Sequence, residues 1–244
     1  MMWDVNAYAS EMLLNRAVAR SLDPVVLVSS YSALFPPPPG QPIGPDSPTA
    51  PGRSPYARTK AYADQVARRL QRDGAPVVVT YPSSVVGAPY FTAAGVTERG
   101  WASIIRSGIA PRLRGGMQMV DVRDVAEVHA RLMRPGRGPH RYVCGGVLLT
   151  FDEMVDALEE ARGQRIRRVL LSGSAFRGIG RLCDVVGAVT PLGDGLSYEA
   201  ALLLTAATPT DDSKTLADLG LTWRSPRASI IDSIGRRRAD ARPQ

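Results

Sequence analysis

Two short apolar runs, Val25-Val26-Leu27-Val28 and Val77-Val78-Val79, constrain this chain more than any other feature. Neither alternates with polar residues, and both are rich in β-branched side chains. A strand of that kind has to be covered on both faces, as in a parallel sheet flanked by helices. Between the runs, Tyr56 to Arg72 carries helical periodicity and stops at Asp73-Gly74. Strand, helix and strand in that order predict a parallel βαβ unit with a right-handed crossover. Residues 36–55 hold nine prolines and three glycines and read as a loop.

The pattern continues on both sides. Residues 4–20 have apolar positions at helical spacing. Met117 to Asp121 reads as a strand, Arg123 to Met133 as a helix, and 141–144 as a further strand. Thr150 and Glu153 have the spacing of a capping box ahead of a helix over 151–162. Ile166 to Leu171 reads as a strand, and helices are expected near 174–187, 197–206, 213–219 and 227–238. The fold class expected is α/β, a doubly wound parallel sheet. A composition shift near 145 predicts a sheet domain over 1–145 and a smaller, mostly helical lobe over 146–244.

Composition excludes several classes. Of 244 residues, 44% are hydrophobic and 22% charged, so the chain is not a disordered one. No apolar run reaches the roughly 18 residues of a membrane span, and a membrane partner is not expected. Met1 to Tyr8 carries Asp4 and no basic residue, unlike a secretory signal. Cys144 and Cys183 form neither a disulfide framework nor a metal motif, and both are expected to act as small hydrophobes. A cytoplasmic enzyme fits these features. The net charge of +7 does not argue for nucleic acid, because the arginines are scattered apart from Arg236-Arg237-Arg238 and no aromatic groove accompanies them.

The residues that carry chemistry are Tyr56 and Lys60, in Tyr56-Ala57-Arg58-Thr59-Lys60. Four apart on a helix, they lie one turn apart on one face. A phenol ordinarily titrates near 10, and a neighbouring ammonium favours its ionised form. Such a pair can move a proton to or from a substrate hydroxyl. Upstream, the first strand ends in Ser29-Ser30, and the next ends in Tyr81-Pro82-Ser83-Ser84. Ligands of open α/β sheets bind at the carboxyl ends of strands, where these polar residues stand. His129, His140, Asp121 and Asp124 are read as structural. Residues 88–116, with Tyr90, Phe91, Trp101 and Leu113, are expected to face substrate.

Val25–Ser30, Ser54–Lys60, Tyr81–Gly87 and Val120–Ala126 come in an order and spacing that resemble the extended short-chain dehydrogenase/reductase family, the NAD-dependent epimerase/dehydratase group. The branch it looks most like contains dihydroflavonol-4-reductase-like and 3β-hydroxysteroid-dehydrogenase-like reductases. The resemblance implies a Rossmann-like fold, NAD or NADP as cofactor, and hydride transfer at a hydroxyl or ketone of a small molecule. It implies Tyr56 as general acid/base, Ser30 as the group orienting the substrate oxygen, and Lys60 as the residue that binds the nicotinamide ribose and lowers the Tyr56 pKa. Ser29, Tyr81, Pro82, Ser83 and Ser84 fall in the cofactor-binding strand ends, and Asn6 matches the asparagine that completes a proton relay. A shift of one or two residues would give the role of Ser30 to Tyr31 or Ser32. Alternatives are a nucleotide-sugar epimerase or dehydratase, and a catalytically silent homologue acting as a binding partner.

The family's glycine-rich first turn is absent, and the chain opens at the helix before the family's fifth strand. About four strands, roughly 70–80 residues by the usual size of βαβ units, are expected ahead of Met1. The strand at 25–30 then has an open, apolar edge. Residues 1–244 alone are therefore expected to self-associate or aggregate. Sizing combined with calorimetry tests this, and a monodisperse, cooperatively melting monomer contradicts it.

Overall fold

The computed structural model describes residues 1–88, 95–187 and 197–240. Tyr90, Phe91 and the side chains of Arg236–Arg238, all singled out above, lie outside that description. The backbone divides into two units. One comprises Met1–Ser83, Asp124–Gly145 and Pro209–Thr222; the other comprises Ser84–Arg123, Gly146–Thr208 and Trp223–Gln244. This interleaved division differs from the linear one expected at residue 145, because strand pairing and not chain order decides it.

The first unit is built on three parallel strands: β1 (Val25–Val28), β2 (Val77–Pro82) and β6 (His140–Cys144), in the order β1-β2-β6. Register runs from Val25 opposite Val77 to Val28 opposite Thr80, and from Val78 opposite His140 to Pro82 opposite Cys144. All three carboxyl ends therefore share one edge of the sheet. Every residue of β2 is buried, as its unalternating sequence requires. A single wide π turn, Asp4–Tyr8, leads into α1 (Ala9–Ala19), where one continuous helix was expected.

Helix α2 (Pro55–Arg72) connects β1 to β2. Ser54 caps it, its Oγ accepting from Ala57 N at 3.0 Å, and Pro55 occupies the first turn where a missing N–H costs nothing. Its buried face consists of Ala57, Ala61, Ala63, Val66, Ala67 and Leu70. Alanine on that face lets the backbone approach closely. Helices α4 (Val122–Leu132), whose first two residues fall in the other unit, and α8 (Ser213–Leu219) complete this unit. Thr215 Oγ1 donates to Val143 O at 2.6 Å, and Ile43 bridges Thr210, which draws 209–222 to this sheet and away from the C-terminal part.

The second unit contains β3 (Ser84–Val86), β5 (Gly116–Asp121) and β7 (Val147–Thr150), in the order β3-β5-β7, with β5–β7 antiparallel. A two-stranded parallel pair, β4 (Ile109–Arg112) with β8 (Arg167–Leu170), lies in the same unit. Its helices are α3 (Val96–Ser107), α5 (Phe151–Arg162), α6 (Gly173–Gly187), α7 (Tyr198–Ala206) and α9 (Pro226–Asp240). The capping box of α5 is present as expected. Strands β3, β4 and β7 have three or four residues each, too few for a period-2 pattern to register. Trp101 and Leu113, expected to face substrate, are buried in this unit's core with Phe151, Leu158, Phe176 and Ile230. The apolar face of α3 serves packing there, which corrects that expectation.

In the first unit the elements converge on Asp64, a fully buried carboxylate on α2. It accepts from Tyr81 Oη on β2 at 2.5 Å, from Arg68 Nε at 2.8 Å, and from Thr49 Oγ1. Arg68 also donates to Ser47 O at 2.9 Å and to Tyr81 Oη at 3.2 Å. Proline-rich loop, helix and central strand are thus joined through one buried charge pair. Removing one partner of such a pair leaves an uncompensated charge and costs about 3–5 kcal/mol. Arg68→Ala is expected to lower stability by that amount in chemical denaturation. Arg69→Ala, which breaks the exposed 3.3 Å pair with Glu11 one residue along, should cost less than about 1 kcal/mol.

Candidate active site

The carboxyl edge of the β1-β2-β6 sheet brings together most of the expected residues. Pairing extends past the strands: Ser29 N donates to Thr80 O at 2.9 Å, and Ser83 N to Cys144 O at 3.0 Å. Ser83 Oγ donates to Gly145 O at 2.7 Å, and Gly145 N donates to Asp212 Oδ2 at 3.0 Å. The ends of β2 and β6 are thereby held together. A side chain at Gly145 would meet Thr210 Oγ1 at 1.9 Å, so only glycine fits there.

Ser30 is extended and caps a 3-10 turn over Tyr31–Leu34. Its Oγ accepts from Ser32 N at 3.3 Å and from Ser32 Oγ at 3.0 Å. With two donors already on its oxygen, Ser30 has its own hydrogen left to offer. Ser29 Oγ is buried without a hydrogen-bond partner among the described residues.

Lys60 reaches from α2 to the end of β1, donating from Nζ to Val28 O at 3.3 Å. The same Nζ lies 5.8 Å from the centroid of the Tyr56 ring, and Tyr56 is 39% exposed. Burial pushes the Lys60 ammonium below its ordinary pKa. Asn6 Nδ2 donates to Thr59 Oγ1 at 3.4 Å, and Thr59 Oγ1 donates to Tyr56 O at 2.8 Å. Asn6 therefore sits in the wide turn ahead of α1 and reaches the Tyr56–Lys60 turn of α2 through Thr59. Thr59 was not among the expected site residues. Its signal was a threonine three residues after the tyrosine, placed to bond back to a carbonyl of the preceding turn.

The hydroxyls of two expected residues are engaged elsewhere. The Tyr81 side chain is fully buried, and its hydroxyl is held by Asp64 and Arg68. Burial, and then the Asp64 charge, push that phenol well above its ordinary range. In β2 alternate side chains point to opposite faces, and that of Tyr81 faces α2. Ser84 opens β3 in the other unit, with Oγ donating to Met117 Sδ at 2.6 Å. Pro82 and Ser83 stay at the edge.

His129, Asp121 and Cys144 are engaged inside the fold. His129 Nδ1 lies 2.7 Å from Val125 O and its Nε2 3.0 Å from Thr80 Oγ1, so both ring nitrogens are engaged within the unit. In the second unit, Asp121 caps the following turn by accepting from Arg123 N at 2.7 Å. Burial pushes its carboxyl up, but bonds from Arg123 and Ser229 hold it below its ordinary pKa. Cys144 is buried, and burial pushes its thiol up.

Known proteins give this arrangement a context. The NAD dependent epimerase/dehydratase family matches residues 1–145, more than half of the chain. "Sterol demethylase protein B" of Methylococcus capsulatus is 27% identical over 240 residues, covering 96% of this chain and 72% of that protein. Among solved structures, gox2253 superposes with a TM-score of 0.76 at 20% identity, covering all of this chain and 74% of its own. UDP-glucose 4-epimerase from Bifidobacterium longum, solved with NAD+ and UDP, superposes at 0.68 with 18% identity, covering 98% and 70%. At such identities the structures show a shared Rossmann-like fold. With the family match over the β1-β2-β6 sheet and the helix bearing Tyr56 and Lys60, the chain belongs to the NAD-dependent epimerase/dehydratase family.

Proposed function

We propose that the chain is an oxidoreductase that works with a nicotinamide cofactor, NAD or NADP, on a hydroxyl or ketone of a small molecule. We place it in the branch of dihydroflavonol-4-reductase-like and 3β-hydroxysteroid-dehydrogenase-like reductases. The observation that carries this reading is Lys60 on the Val28 carbonyl, one helical turn from Tyr56, at the carboxyl end of β1. The relative named for sterol demethylation, aligned over nearly the whole chain, supports a hydroxyl or ketone substrate. Structures solved with NAD+ and a nucleotide favour a second reading, nucleotide-sugar epimerisation or dehydration.

The residues present fit the nicotinamide end of such a cofactor. Lys60 has three N–H donors and uses one on Val28. Ser29 Oγ is a buried hydroxyl in need of a partner. Lys60 would hold the ribose hydroxyls, and Ser29, Pro82 and Ser83 would line the ring. When bound, the cofactor supplies the site for hydride transfer.

This chain's own residues handle the proton. Tyr56 Oη gives a proton to the substrate oxygen in reduction and removes one in oxidation. Ser30 donates its remaining hydrogen to the same oxygen. The Lys60 ammonium stabilises the phenolate left when Tyr56 releases its proton. Asn6 and Thr59 hold the turn on which both groups stand.

Titrating residues 1–244 with NADH and NADPH, read by nicotinamide fluorescence and melting temperature, tests cofactor binding, and saturable binding is expected. With NAD+ and a 3β-hydroxysteroid as probe, Tyr56→Phe should lower turnover roughly 10²–10⁴-fold while leaving NADH affinity within about twofold. Full turnover without the phenol would exclude the proton-transfer role.

Lys60→Met separates function from stability. A lowered lysine pKa means that the folded chain binds that proton more weakly than the unfolded one. The charged group then costs stability at neutral pH, and the cost fades as pH rises towards the ordinary lysine value. Lys60→Met should therefore melt above the parent at neutral pH, with a gap that narrows in alkali, and should lose turnover.

A further inference from the structure

We propose that the exposed face of α6, with the basic segment that leads into it, docks on an anionic bilayer surface. This goes beyond the proposed reaction and revises the expectation that no membrane takes part.

In the second unit α6 packs against α7 through Phe176 and Gly180. Phe176 is buried, and a side chain at Gly180 would meet Ser197 O at 2.8 Å. At about 100° per residue, Ala175, Ile179 and Leu182 fall on one flank of the helix, roughly 80–140° round from the side that meets α7. They form an apolar stripe at helical spacing, yet all three are exposed, Ile179 by 43% and Leu182 by 62%. An amphipathic helix of a globular protein turns its apolar stripe to the core; this one also presents apolar residues outward. Leu170, three residues ahead of the helix, is 83% exposed.

Charge selects the partner. Between Glu160 and Asp184 the chain carries six arginines and no acid. Arg168 is engaged by Asp152, Asp156 and Glu159 of α5, and Glu160 is paired with Arg227 at 2.6 Å. The α5 acids are thus largely matched locally. Arg165 and Arg167 are exposed, and Arg181 lies over the Tyr198 ring at 5.0 Å, beside the apolar stripe. Asp184 accepts from Tyr198 N at 3.0 Å. Exposed Leu and Ile on the helix, with exposed arginines on the segment that leads into it and Arg181 next to Leu182 in the chain, describe a surface that lies in the headgroup region, with side chains inserted and cations on lipid phosphates and carboxylates. A span is not implied, since no helix among the described residues is long and apolar enough to cross a membrane.

Co-sedimentation of residues 1–244 with vesicles tests the proposal, comparing phosphatidylcholine alone with phosphatidylcholine containing about 30% phosphatidylserine. Binding to the anionic vesicles, weakened by salt and lowered roughly tenfold by Leu182→Glu, is expected. Arg165→Glu with Arg167→Glu should lower it too while leaving the apolar stripe intact. These side chains are exposed, so the variants should keep the parent's melting temperature, which is measured alongside. Equal binding to both vesicles, no binding to either, or binding indifferent to Leu182→Glu overturns the proposal. Self-association abolished by Leu182→Glu without vesicle binding also overturns it and assigns the face to a second copy of the chain.

Discussion

A buried carboxylate holds the unit that carries the candidate site in shape. Asp64 is fully enclosed, and Arg68, Tyr81 and Thr49 fill its hydrogen-bonding sites. Each partner comes from a different piece of chain: the helix itself, the central strand and the proline-rich loop. Hydrogen bonds have directions, so the knot sets how α2 lies against β2 more closely than packing alone could. Alanines on the buried face of α2 would tolerate sliding; the charge pair does not. Lys60 and Tyr56 stand one and two turns from Asp64 on the same helix, so their placement at the sheet edge inherits that alignment.

The site is assembled by short reaches between neighbouring elements. Lys60 touches a carbonyl at the end of β1, Asn6 meets Thr59, and Ser32 fills the acceptor sites of Ser30. Two of these contacts leave defined donors: two N–H of Lys60 and the hydrogen of Ser30. Their hydrogen-bonding capacity is set before any ligand arrives, which is how a folded site lowers the cost of orienting a substrate.

Much of this was legible because it rests on local pattern. Uninterrupted valines announced buried parallel strands, Ser54-Pro55 opened α2, and the Thr150–Glu153 spacing marked α5. Tyr56 and Lys60 were readable as a pair because four residues make one helical turn. The hydroxyl partners of Tyr81 and Ser84 were not legible. Both stand near the end of β2, but a strand alternates its faces, and chain proximity does not say which face looks at the ligand edge. Tyr81 faces the helix, while Ser84 belongs to a different sheet. Trp101 shows the same limit in a helix: its apolar neighbours marked a face, but only packing revealed that the face covers a core.

The amino-acid sequence by itself determined the element types, the parallel character of the first sheet and the one-turn spacing of Tyr56 and Lys60, since these depend on spacing within one segment. Only the tertiary structure decided the interleaving of the two units, the partners of Asp64, the donor role left to Ser30 and the outward apolar stripe of α6. Those depend on residues far apart in the chain or on which surface is left uncovered. Periodicity reports that a helix has an apolar face, and burial alone reports whether anything covers it.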